Sequence, residues 1–143
     1  MKMELNRGKD AMLDKVLVVD DELAIRELLD IFLTGEEYEV ILASNGKEAL
    51  ELVEKEQPKA VLLDIKMPGI NGIEVCRRLK AKDESKFIPI IMITASMDHR
   101  TEAVEAGADD IVTKPFNMEQ LSFRLKSALR TRYLSAELGR AMS

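Results

Sequence analysis

Ala60-Val61-Leu62-Leu63-Asp64-Ile65-Lys66-Met67-Pro68-Gly69-Ile70-Asn71-Gly72 is the stretch on which the fold turns. Four consecutive aliphatic residues suit a short strand buried on both faces, and the run stops on a carboxylate. Pro68, Gly69, Asn71 and Gly72 mark a loop. Ile73, Cys76 and Leu79 then recur at the spacing of one helical face, with Cys76 read as a small buried hydrophobe.

The same order extends in both directions. Val16-Leu17-Val18-Val19 ends on Asp20-Asp21 and leads into a helix over Glu22 to Thr34, with Gly35 placed to stop it. Asp21 is a helix-cap candidate as much as a site candidate. Val40-Ile41-Leu42-Ala43 is the second strand, and Asn45 caps the next helix with Glu48 as its capping-box partner. Ile88 to Ile93 forms a fourth strand ending at Thr94. Met97 to Ala106 is a helix closed by Gly107, and Ile111-Val112 anchors a fifth strand that ends at Lys114. A last helix starts near Asn117. Five strands alternating with five helices predict an α/β fold, a parallel sheet covered on both faces by right-handed crossovers.

The chain has 143 residues, 46% of them hydrophobic, which is one domain with a substantial core and too apolar for disorder. A lone cysteine forms no internal disulfide, no apolar run is long enough for a membrane helix, and no secretory leader is evident, so a cytoplasmic protein is expected. The formal net charge is −5: residues 124–143 carry +4 and residues 1–15 carry +1, which leaves −10 on residues 16–123. Such an acidic body repels nucleic-acid phosphates, and direct nucleic-acid binding is not expected. Residues 1–13 read as a flexible lead-in, 14–130 as the domain, and 131–143 as a helical extension or the start of a linker. Leu134, Leu138 and Ala141 form a short apolar seam in that extension. His99, Glu36-Glu37 and the run Lys80 to Lys82 read as solvated surface.

In doubly wound sheets the functional crevice lies beyond the carboxyl ends of the strands. Asp20-Asp21, Asp64, Thr94 and Lys114 occupy those ends. Each alone has an ordinary reading as a cap, turn or loop residue; together they put three carboxylates, a hydroxyl and an ammonium on one edge. Crowded carboxylates repel, and a hard cation relieves this; Mg²⁺ suits oxygen ligands with no histidine or cysteine nearby. Asp64 is then the candidate nucleophile toward a phosphoryl group, with Lys114 neutralising phosphoryl charge and Thr94 donating a hydrogen bond.

Over roughly residues 14–130 the chain resembles the receiver domain of two-component response regulators. The resemblance is carried by Val16 to Glu22, Leu62 to Gly72, Ile91-Met92-Ile93-Thr94-Ala95 and Gly107 to Phe116, in order and at the expected spacing. It implies a flavodoxin-like, doubly wound sheet of order 2-1-3-4-5 in a three-layer α/β/α sandwich. It also implies that Asp64 accepts a phosphoryl group from a sensor histidine kinase or phosphotransfer protein. Asp20, Asp21, Asp64 and the Lys66 backbone carbonyl would hold Mg²⁺, and Thr94 and Lys114 would contact the phosphoryl group. Lys66 and Ser96 match positions that tune phosphoryl lifetime, and the Lys114-Pro115 bond is expected to be cis. Enzymatic activity would amount to self-phosphorylation from a phosphodonor and autodephosphorylation.

The family commonly has an aromatic three residues before the lysine, where this chain has Ile111, so a modified switch is expected. Output is expected through helix four, strand five and helix five, to a partner or to a domain beyond Ser143. A homodimer through that face or the C-terminal helix is a further expectation, with Asp109 and Asp110 pairing to Arg124 of a neighbour. The other functional classes are a haloacid dehalogenase-like phosphotransferase, a flavodoxin-like cofactor binder and a pseudo-receiver that takes no phosphate. The first needs a cap insertion that the chain lacks, and the second needs a phosphate loop where Asp20-Asp21-Glu22 would repel phosphate. The third is disfavoured because all five strand-end residues are present.

Overall fold

The structure, a computed structural model, describes residues 13–142; the expected lead-in, apart from Leu13, and Ser143 lie outside the described residues. Its elements are β1 Lys15–Val19, α1 Leu23–Gly35, β2 Glu39–Ala43, α2 Gly46–Glu56, β3 Ala60–Asp64, α3 Gly72–Ala81, β4 Ile90–Thr94, α4 Arg100–Glu105, β5 Asp110–Thr113 and α5 Met118–Met142. The strands form one five-stranded sheet, β2-β1-β3-β4-β5, and every pairing is parallel. This is the expected order and layering.

The uninterrupted aliphatic runs arise because alternate strand residues feed two different cores. Leu17, Val19, Val61, Leu63, Ile90 and Met92 pack with residues of α2, α3 and α4 on one face. Val16, Val18, Leu62, Ile91 and Ile93 pack with Leu29 and Leu33 of α1 and Leu121 and Leu125 of α5 on the other. Register then aligns the strand ends. Val19 lies opposite Leu63, Asp64 opposite Ile93, and Thr94 opposite Thr113, so the carboxyl ends of β1, β3, β4 and β5 finish almost flush.

Several local expectations need correction. α1 ends at Gly35, but the left-handed turn residue that follows is Glu37, whose φ is 70°. Glu36 is not merely solvated: its carboxylate accepts a 2.6 Å hydrogen bond from Ser122 Oγ, which holds its pKa below the usual carboxylate range, and Lys126 stands 3.6 Å away. Asn45 caps α2 through the Glu48 N–H, but the Glu48 carboxylate returns to the N–H of Ser44, one residue before the cap. The helix expected from Met97 begins as a one-turn 3₁₀ segment, Met97–His99, because Ser96 Oγ accepts the Asp98 N–H and tightens the turn.

Lys80 is also no solvated residue. Its ammonium donates to the carbonyls of Lys86 and Ile88 at 3.2 and 2.8 Å and to Asp109 Oδ2 at 2.9 Å, using all three N–H groups. Arg124, expected to pair with Asp109 and Asp110 of a neighbouring molecule, reaches both oxygens of Asp110 in its own chain through Nη1, at 2.8 and 2.9 Å. Asp109 and Asp110 are thus already paired.

α5 runs unbroken across the boundary expected at residues 130 and 131. Leu134 and Leu138 on its outer part are exposed; Ala141, the third member of their seam, lies outside the described side chains. Among the described residues no helix is long and apolar enough to cross a membrane.

Candidate functional site

The flush strand ends bring the expected residues together. One carboxylate oxygen each from Asp20, Asp21 and Asp64 lies within 4.8 Å of the other two. Asp20 and Asp64 are buried, at 2% and 6% exposure, while Asp21 is open to solvent. Lys114 follows β5, with its N–H held by the Thr94 carbonyl at 2.7 Å. Its ammonium lies 3.0 Å from Asp20 Oδ2 and 3.7 Å from Asp64 Oδ2. The Lys114-Pro115 peptide is cis, as expected.

One ammonium does not balance three carboxylates. Burial, then the charge of Asp20 and to a lesser degree that of Asp21, push the Asp64 pKa up to about 6, although Lys114 and a hydrogen bond from the Lys66 N–H pull it down. Burial acts to lower the Lys114 pKa, but the Asp20 hydrogen bond and the charges of Asp64, Asp20 and Glu22 outweigh it and leave it raised. The donors are all hard carboxylate oxygens, and one of the three side chains faces solvent. That set fits a divalent cation that keeps part of its water shell, as Mg²⁺ does.

The loop after β3 is folded tightly against this cluster. The Gly72 N–H donates to the Ile65 carbonyl at 2.8 Å, and a Cβ at Gly72 would lie 2.1 Å from the Asp64 carbonyl oxygen. Only glycine permits that approach. Asn71 then caps α3 by accepting the Glu74 N–H at 3.0 Å.

Other expected residues occupy less direct positions. The buried Thr94 hydroxyl donates to the Ser96 carbonyl at 2.8 Å and accepts the Ser96 N–H at 3.2 Å, closing a small turn of its own. Ser96 is committed to the 3₁₀ cap. Lys66 carries an exposed side chain, and its backbone N–H is the part that meets Asp64. Ile111 is half-buried and packs against the core on the α2–α3–α4 side. His99 is half-buried rather than free in solvent: its Nδ1 lies 3.3 Å from Glu102 Oε1.

Asp20, not Asp21, makes the side-chain bond in the turn ahead of α1, an Asx turn and not a helix cap. Asp20 Oδ1 accepts the Glu22 N–H at 2.9 Å, whereas the N-cap residue Glu22 makes no side-chain cap bond. Two contributors escape a reading of the sequence alone. One is Gly72, legible only as a loop glycine until its distance to Asp64 is seen. The other is Arg26, whose Nη1 donates to the Asp20 carbonyl at 2.7 Å; its signal is a cation one helical turn beyond the acidic pair.

Residues 16–126 match the family model described as the response regulator receiver domain. The chain belongs to that family. Response regulator MprA of Mycolicibacterium vanbaalenii is 43% identical over 118 residues, which cover 81% of this chain and 50% of that protein. The chain spans about half the length of the curated relatives it matches. A CheY-like receiver domain protein from Methanospirillum hungatei superimposes with a TM-score of 0.81 at 30% identity, covering 86% of this chain and 98% of that one. Response regulator TrrA from Thermotoga maritima, solved in complex with Mg²⁺–BeF, has a TM-score of 0.75 at 40% identity, with 81% and 99% coverage. This is therefore a receiver domain of two-component signalling, which excludes the dehalogenase-like and flavodoxin-like alternatives.

Proposed function

We propose that this receiver domain accepts a phosphoryl group on Asp64 from a phosphohistidine of a sensor histidine kinase or phosphotransfer protein. The observation that carries this reading is the crowded, undercompensated trio of Asp20, Asp21 and Asp64, with Lys114 as its one close ammonium among the described residues. A carboxylate oxygen of Asp64 forms a bond to phosphorus while the P–N bond of the phosphohistidine breaks, giving an acyl phosphate and a free imidazole. Asp20, Asp21 and Asp64, with the Lys66 backbone carbonyl, would hold Mg²⁺. Bound there, the ion supplies charge neutralisation for the carboxylates and the incoming phosphoryl oxygens.

Each residue then has a physical task. Asp20 and Asp64 keep one face of the site dry, and exposed Asp21 leaves the other open to the donor. Lys114 stands beside both buried carboxylates and can shift its hydrogen bond from Asp20 to a phosphoryl oxygen. Thr94 must release the Ser96 carbonyl before its hydroxyl can donate to phosphate, which couples phosphorylation to the 3₁₀ turn ahead of α4. Lys66 and Ser96, flanking the site, would tune phosphoryl lifetime. Output would pass through α4, β5 and α5 to a partner, a second copy or a further domain. With Ile111 already packed on the core, the switch depends less on residue 111 than in relatives with an aromatic there.

The test is phosphate incorporation from acetyl phosphate in the presence of Mg²⁺. Wild type should acquire acid-labile phosphate, and Asp64→Asn should lose it by at least about a hundredfold, roughly 3 kcal/mol of barrier. Labelling that persists in Asp64→Asn places the acceptor elsewhere, and no labelling of wild type supports the pseudo-receiver reading.

A further inference from the structure

The acidic edge is built on a turn that its own sequence holds poorly. β1 stops at Val19 and α1 starts at Leu23, so residues 20–22 belong to neither. The N-cap residue Glu22 contributes no side-chain cap bond, and Asp21 is exposed. What fixes the turn is the complete engagement of Asp20. Its N–H donates to the Ala43 carbonyl at 3.2 Å, its Oδ1 accepts the Glu22 N–H, its Oδ2 accepts the Lys114 ammonium, and its carbonyl accepts Arg26 Nη1 at 2.7 Å. Beyond the end of β1 that carbonyl has no place in the strand ladder, and the Arg26 guanidinium supplies its partner.

Helix geometry explains why residue 26 can do this. Its N–H donates to the Glu22 carbonyl at 3.1 Å, which seats it one turn into α1. Side chains on a helix lean toward its N-terminus, so the long Arg26 side chain reaches back over the first turn to residue 20. The planar fork of donors gives a defined direction to that contact. Removing it would free the peptide that joins Asp20 to Asp21, and with it the relative position of two carboxylates that must converge on one point with Asp64.

We infer that Arg26 is a positioning residue for the cation and phosphoryl site, acting by clamping the Asp20 carbonyl rather than by its charge. This inference rests on the proposed reading of the site as a divalent-cation centre. The two modes of action differ in sign. A background positive charge near an acidic cluster opposes cation binding, so deleting it would tighten Mg²⁺. A clamp that preorganises the ligands favours binding, so deleting it weakens Mg²⁺.

The experiment is a Mg²⁺ titration of the full chain followed by amide NMR shifts of Asp20, Asp21 and Asp64, on wild type, R26M, R26Q, R26K and R124M. Thermal midpoints are recorded on the same samples. R26M is expected to raise the Mg²⁺ dissociation constant about tenfold, while acetyl-phosphate labelling recovers most of its maximal rate at saturating Mg²⁺. R26K keeps one reaching donor and should stay within about threefold of wild type. R124M breaks a remote ion pair and should leave Mg²⁺ affinity unchanged whatever its thermal midpoint. Unchanged or tighter Mg²⁺ binding by folded R26M overturns the inference while leaving the site reading intact. Should R26M not fold, R26Q, whose amide is too short to reach the Asp20 carbonyl, decides: a loss of Mg²⁺ affinity of about threefold or more sustains the clamp, and any smaller loss or tighter binding overturns it. Failure of wild type itself to bind Mg²⁺ overturns the site reading and the inference together.

Discussion

Two regions of this molecule gather carboxylates and cations at opposite ends of the sheet, and they differ in how completely the charges are satisfied. Near the amino ends of β4 and β5, Asp109 accepts the Lys80 ammonium and the Ile90 N–H. Asp110 takes a two-pronged contact from Arg124, and the remaining donors of Lys80 go to backbone carbonyls. At the carboxyl ends, Asp20, Asp21 and Asp64 converge with Lys114 as their one close ammonium among the described residues. The same residue types thus make a closed node in one place and an incomplete one in the other. A node that closes on itself holds the fold; one left short of positive charge has room for a cation.

The comparison is most severely tested at the point where backbone, not charge, sets the geometry. Gly72→Ala would drive a methyl group to 2.1 Å from the Asp64 carbonyl oxygen, and a loss of about 3 kcal/mol or more is expected in urea unfolding. Labelling of Asp64 should fall with it. A neutral outcome would mean that the loop can stand back from the strand end.

A smaller effect, of opposite direction, separates the two nodes. The Asp64 pKa is raised from its ordinary value to about 6, burial being the largest cause. Between about pH 4 and 6 the folded protein therefore binds more protons at this group than the unfolded chain, and stability falls as pH rises through that window. Below it the penalty is absent; above it the penalty is fully present. In chelator-free buffer without Mg²⁺ at pH 7, Asp64→Asn should stabilise the fold by on the order of 1–3 kcal/mol. The variant should also lose that part of the pH dependence. Destabilisation by Asp64→Asn would show that the trio is balanced without a cation.

The closed node should give the reverse sign and the least magnitude. Asp109→Ala leaves the half-buried Lys80 ammonium with one acceptor fewer and the Ile90 N–H unpartnered, costing about 1–2 kcal/mol. Arg124→Met removes a partly exposed pair and should cost about 0–1 kcal/mol. Both are read from thermal or urea unfolding, and neither should shift Mg²⁺ binding.

Much of the sheet is legible because each central strand announces itself as an unbroken aliphatic run ending in a polar residue. The register that brings Asp20, Asp64, Thr94 and Lys114 to one edge follows from parallel order and matched lengths. What stays hidden depends on choices between near-equivalent neighbours or on long separations. Asp20 and Asp21 are adjacent and chemically alike, so only the turn decides which one bonds Glu22. Gly35 does end α1, yet the left-handed residue of the turn is Glu37. Arg124 has an acidic pair within its own fold, which a sequence offers equally to a neighbouring molecule. Strand-end position assigns the Thr94 hydroxyl to phosphate, while in this state it serves Ser96.

α5 spans 25 residues, or about 37 Å at ~1.5 Å rise per residue. The sheet holds it through Leu121 and Leu125, and Ala128 and Leu129 pack against the same core. A rod held at one end magnifies small rotations: a tilt of about 5° at the packed part carries a point roughly 14 Å further along by about 1 Å. A small rotation at the sheet would thereby reach the exposed leucines at positions 134 and 138 as a displacement of about one ångström.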